Sequence, residues 1–117
     1  MRRTRRPQRL GGLLQEEVSR LLLREIKDPR IAGVTLTSVK VSPDLRFAMI
    51  YFSVMGGPER QREATKGLQS ARGMIKRELG RNLELQYVPD IEFLFDDSLE
   101  YAEHIDQLLK QIADSKN

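Results

Sequence analysis

The chain has 117 residues, 39% of them hydrophobic and 32% charged, which is enough for a single domain around one modest core. It has no cysteine and a single histidine, so disulfides and thiolate metal sites are excluded and little is left for a zinc centre or a catalytic triad. The formal net charge of +3 is carried by one end, because the first nine residues hold five arginines and no acid while the rest has fifteen basic and seventeen acidic side chains.

The arginine-rich stretch 1–9 reads as a flexible arm. Leu10, Leu14, Val18, Leu21, Leu22 and Ile26 then recur at helical spacing and predict a first amphipathic helix. Gly11 and Gly12 weaken its first turn, so the ordered helix is expected from Leu13, and Pro29 stops it by disfavouring helical geometry at Asp28. No apolar run is long enough to cross a bilayer, and Gln15, Glu16 and Glu17 interrupt the leucines before a signal-peptide core could form. A cytoplasmic location is the expectation.

VTLTSVKVS has the β-branched, near-alternating character of a strand, and SPDL supplies turn chemistry through Pro43 and Asp44. RFAMIYFSV is a second strand, paired antiparallel with the first and expected to be the more buried because both of its faces are apolar. After MGGPE a helix starts near Pro58 and runs to about Gly80. Its stripe is Leu68, Ala71, Ile75 and Leu79, with an interruption expected at Gly73, since a helix-interior glycine costs about 1 kcal/mol relative to alanine. Ile91, Phe93 and Phe95 alternate behind Pro89 as a third strand. Asp97 and Glu100 form a capping pair for a last helix with the stripe Tyr101, Ile105, Leu108 and Ile112, and 114–117 is expected to be a disordered tail. With the interrupted helix counted as two pieces the order is αββααβ plus a C-terminal helix, an α+β sandwich with helices on one face of a three-stranded sheet.

Charge is also segregated within the body. Pro58 to Arg81 has seven basic and three acidic side chains, whereas Leu83 to Leu109 has eight acids and no Lys or Arg. One face suited to a polyanion and another turned away from it is the implied arrangement.

The joined strings DPR, SPDL and YFSV, together with SARGMIKREL and the P-D-x-x-F-x-x-D-x-S spacing in VPDIEFLFDDS, make the chain resemble the bacterial ribosome-binding factor A family over most of its length. The resemblance implies a type-II KH-like domain, here 10–113, in which the Gly-x-x-Gly loop is replaced by an Ala-x-Gly kink carried by Ala71 and Gly73. In a KH domain that loop lets the nucleic-acid backbone pass close to the protein. The resemblance further implies a non-enzymatic assembly factor without cofactor or metal. Such a factor binds the immature small (30S) ribosomal subunit through 16S ribosomal RNA and assists its late maturation. An association with growth in the cold and release helped by a partner GTPase are implied as well.

On this reading Arg62, Lys66, Arg72, Lys76, Arg77 and Arg81 form a phosphate-binding footprint along the bent helix, continued by Arg2, Arg3, Arg5 and Arg6 of the arm. The bland alternative is a solvated helix face and a solubilising tail. Phe47, Tyr51, Phe52, Phe93 and Phe95 are expected in the core, and Tyr87, beside polar Gln86, is the aromatic expected to be exposed. His104, four residues after Glu100, is better explained by a capped acidic helix than by a metal site. Two other functions compete: a general KH-like RNA binder unrelated to the ribosome, and a protein-interaction module using the acidic C-terminal face. With no heptad pattern or unexplained apolar stripe, a monomer is expected.

Overall fold

The computed structural model describes residues 2–98, with side chains from Arg6 onward. The last helix, His104 and the 114–117 tail lie outside the described residues. Helix α1 (Arg2–Arg24) is followed by a single 3-10 turn (Pro29–Ile31), strands β1 (Thr35–Val41) and β2 (Phe47–Ser53), helix α2 (Gly57–Asn82) and strand β3 (Asp90–Phe95). The sheet order is β1-β2-β3, with β1 and β2 antiparallel and β2 and β3 parallel. The parallel pair requires a crossover, and α2 supplies it. The result is an α+β fold.

The helical and alternating patterns place their central side chains in the core, with Leu10, Leu22, Ile26, Ala71 and Phe95 partly buried at its margin. Leu14, Val18 and Leu21 of α1 and Leu68, Ile75 and Leu79 of α2 are fully buried against Ala48, Ile50 and Phe52 of the central strand and Ile91 and Phe93 of β3. Each such aliphatic or aromatic side chain contributes roughly 1.5–3 kcal/mol by leaving water.

The period of two that buries Ala48, Ile50 and Phe52 forces Phe47 and Met49 to the other face, where they are 57% and 41% exposed. The expectation of core positions for Phe47 and Tyr51 is therefore corrected, since Tyr51 shares that face, half-buried, with the Lys40 ammonium over its ring. Among the described residues the central strand is covered on one face only, although its composition is largely apolar.

Helix α1 starts earlier than expected. Its backbone is helical from Arg2, and Gly11 and Gly12 do not delay it to Leu13. Arginine is a good helix former, and the helix forms although Pro7, inside it, has no amide to donate to the Arg3 carbonyl. Gly11 has a packing role instead, since a methyl group there would lie 3.1 Å from the Val39 carbonyl oxygen of β1.

Helix α2 is also continuous. It runs through Ala71, Arg72 and Gly73 without a break and counts as one helix of 26 residues, which corrects the interruption expected at Gly73. Arg72, Met74, Lys76 and Arg77 around the glycine are strong helix formers, and the apolar stripes on either side pack on the same sheet face, so together they outweigh one glycine.

Carboxylates secure the connections. Asp28 accepts the Arg30 amide at 2.9 Å and the Arg30 guanidinium at 2.7 Å, capping the 3-10 turn. The β1–β2 register shifts between Leu36 and Ser38, and the Thr37 hydroxyl within that irregularity donates to Asp96 at 2.6 Å. Asp96 also accepts the Ser98 amide at 3.0 Å, and the capping pair expected of Asp97 and Glu100 reaches outside the described residues.

The Asp28 carboxyl is held below the usual range first by the Arg30 guanidinium and then by its amide, and that of Asp96 first by the Ser98 hydroxyl and then by Thr37. A depressed folded-state value stabilises the fold above the unfolded carboxylate value, near pH 4, and this stabilisation is lost as pH falls through the lower folded-state values. The thermal midpoint should therefore fall only below about pH 4, and a midpoint that rose between pH 5 and pH 3 would contradict these contacts.

Candidate nucleic-acid interface

Successive residues of an α-helix turn by about 100°. In α2 this rotation places Ala64, Leu68, Ile75 and Leu79 toward the sheet and leaves Arg62, Lys66, Gly73 and Arg77 on the exposed outer side. Gly73 falls in the middle of that cationic stripe. A methyl group added to it would meet no protein atom within 4 Å. It is a bare patch of helix backbone framed by Lys66, Arg72, Lys76 and Arg77, open to an external chain.

The six cations expected on α2 are not equivalent. Lys76 donates to Asp90 of β3 at 2.7 Å, and Arg72 reaches Glu92 of the same strand at 3.5 Å. The Lys76 ammonium, aided by Arg72, holds the Asp90 carboxyl below the usual carboxylate range. These two cations are thus partly neutralised at the open edge of the sheet. Arg62 and Arg81 make long pairs with Glu59 (3.8 Å) and Glu78 (3.6 Å) one turn away, of the solvent-exposed kind that contributes little. Lys66 and Arg77 have no ion-pair partner among the described residues and are the cations most available to a phosphate.

The β3 carboxylates therefore compete with any polyanion for Arg72 and Lys76. Asp90→Asn together with Glu92→Gln should raise affinity for RNA roughly twofold to fivefold, the span of an exposed ion pair. Unchanged or weaker binding in a salt titration would show that neither cation has to leave its partner.

Arg2, Arg3 and Arg5 stand on the backbone of the first turns of α1. Arg6 lines a separate groove, formed with Arg9, the β1–β2 turn and the Leu85–Tyr87 connection, and no α2 residue lines it. Among the described side chains, Arg6 thus lines a basic surface apart from the α2 cations.

Two residues with structural roles escaped the sequence reading. Arg60, a cation of the same helix, faces inward and donates to the carbonyl oxygens of Arg30 (2.6 Å) and Ala32, tying α2 to the 3-10 turn. Gly67 is buried where α2 crosses that turn, and a methyl group there would lie 2.7 Å from Ile31 Cγ2 and 3.0 Å from Arg30 Cβ. The small residues Ala64, Gly67 and Ala71, three and four apart, were the available sign of this close approach.

Among the described residues no helix is long and apolar enough to cross a membrane. The profile of the family described as ribosome-binding factor A matches residues 6–109. Ribosome-binding factor A of Dictyoglomus thermophilum is 47% identical over 108 residues, covering 92% of this chain and 90% of that one. The solution structure of a Thermotoga maritima protein described as a ribosome binding factor A superposes with a TM-score of 0.65 at 32% identity, covering 73% of this chain and 81% of that one. A Thermus thermophilus ribosome binding factor A homology model, fitted into the cryo-EM map of a 30S complex, superposes with a TM-score of 0.56 at 25% identity, covering 73% and 93% of the two chains. A profile spanning nearly the whole chain, relatives matched end to end and the same two-helix, three-stranded architecture agree: the chain belongs to the ribosome-binding factor A family.

Proposed function

We propose that this chain is a non-enzymatic assembly factor that acts in the cytoplasm on the immature 30S ribosomal subunit. It binds through 16S ribosomal RNA and assists late maturation. The observation that carries the reading is the outer stripe of α2, where Lys66 and Arg77 stand unpaired among the described residues around the bare backbone of Gly73. Phosphates can approach the helix there as closely as a main chain allows, and each contact releases counterions. The Thermus thermophilus relative fitted into a 30S complex supports the choice of ribosomal over other RNA. Release helped by a GTPase belongs to the same reading.

Co-sedimentation with immature small, mature small and large subunits across a salt series tests it. Binding restricted to small subunits, with log affinity falling by about 0.7–0.9 per phosphate contact for each decade of salt, is the expected result. Equal binding to all three particles would reduce the chain to a general RNA binder. Salt-insensitive binding would turn the assignment toward a protein partner.

A further inference from the structure

The groove between the first half of α1, the β1–β2 turn and the Leu85–Tyr87 connection is unlike the α2 stripe, because it combines cations with an open aromatic ring. Tyr87 is 61% exposed and Leu13 beside it 44% exposed, so the ring has an apolar neighbour but no cover. Arg6, Arg9 and Arg46 surround them; none makes an ion pair within 4 Å among the described residues, while the Arg46 charge acts on Asp44 of the same lining. Asp44, the single acid among the described residues of the lining, already accepts the Ser42 hydroxyl at 2.7 Å and the Arg46 amide at 3.1 Å. That turn carries Leu45 at φ +64°, a left-handed conformation uncommon for leucine. An uncommon backbone geometry is thus maintained next to the arginine that enters the groove.

A flat exposed ring bordered by three guanidiniums against a single carboxylate is the chemistry of a single-stranded nucleotide site, in which a base stacks on the aromatic and the adjoining phosphates meet the cations. An acidic protein segment would find the charges but would leave the face of the ring without a flat partner. We propose that this groove is a second RNA contact, separate from α2, which takes an unpaired nucleotide of the small-subunit RNA: its base stacks on Tyr87 and its flanking phosphates lie against Arg9 and Arg46. The inference rests on the reading of the chain as a binder of ribosomal RNA. It assigns the α2 stripe to continuous backbone and the Tyr87 groove to an extruded base, so that binding selects RNA in which one nucleotide has not yet been stacked away.

Stacking and phosphate contact are separable, since only the latter releases counterions. The test is sedimentation of the full chain with immature small subunits over a salt series, using Tyr87→Ala, Tyr87→Phe and the Arg9→Ala/Arg46→Ala pair, with thermal unfolding as the check on folding. Tyr87→Ala should lose about 5- to 100-fold in affinity with an unchanged salt slope, while Tyr87→Phe stays within about twofold because it keeps the ring. The arginine pair should lower the slope by roughly 1.4–1.8. Full affinity in Tyr87→Ala, or an equal loss in Tyr87→Phe, overturns the stacking site. A loss seen with subunits but not with deproteinised 16S RNA overturns it too, since the ring would then face a ribosomal protein. If charge reversal on α2 abolishes binding while Tyr87→Ala binds normally, only this inference falls. A wild-type chain that binds no small subunit removes the assembly-factor reading and this site with it.

Discussion

Replacing Arg72, Lys76 and Arg77 together by glutamate should weaken binding to immature small subunits by about a thousandfold, while the domain stays folded. Three charge-assisted phosphate contacts at roughly 1.5 kcal/mol each give that factor, and reversal adds repulsion to the loss. The cost to stability is small because the side chains are at the surface. Arg72 and Lys76 lose exposed pairs with Glu92 and Asp90, each worth at most about 1 kcal/mol. A second variant separates loss of phosphate contact from disturbance of the β3 edge. Lys66→Glu with Arg77→Glu breaks no ion pair among the described residues and should still cost at least about 100-fold. If the triple variant is folded, as judged by circular dichroism and a cooperative melt, and binds as the wild type does, α2 is not the interface.

Opposite stability effects from two glycines of one helix form the second prediction. At Gly67 a side chain must displace Ile31 and Arg30, whose Cβ lies too close to its own main chain to move freely. Overpacking of this kind costs roughly 1–3 kcal/mol, and more for a larger group, whereas the gain in helix propensity returns only about 1 kcal/mol. Gly67→Leu should lose about 3 kcal/mol or more. Gly73→Ala meets no neighbour and should gain about 1 kcal/mol from propensity alone. The same methyl group should nevertheless weaken RNA binding if the bare backbone is where a phosphate chain approaches. Denaturant unfolding of the two variants checks the pair, and a stabilised Gly67→Leu would show that α2 does not cross the 3-10 turn as closely as described.

The contrast between these glycines shows how far the sequence reading reaches. Gly73 drew attention because it interrupts a helical pattern, and a bend was the natural inference. In the structure the helix continues, and the residue matters for what it leaves uncovered. Gly67, six residues earlier in the same helix, is the position where close packing demands a glycine, and little marked it beyond its small neighbours Ala64 and Ala71. Phe47 was misplaced for a related reason. The apolar content of β2 suggested burial on both faces, but only one face of the sheet is covered by helices among the described residues.

Local sequence determined the elements and most of their inner faces. The 3.6-residue stripe of α1 and α2 and the two-residue alternation of β3 name the buried side chains directly, because periodicity is a property of a single segment, whereas β2, apolar on both faces, does not say which of them is covered. The charge segregation between Pro58–Arg81 and the acidic stretch after it was equally legible. Tertiary structure decided which of those charges are available. Arg72 and Lys76 meet acids 20 and 14 residues away across the β3 edge, Arg60 turns in to bind carbonyls about 30 residues upstream, and Arg6 shares a groove with Arg46 and Tyr87. These pairings depend on where distant segments come to lie against one another, and the periodicity of one element carries no information about the approach of another.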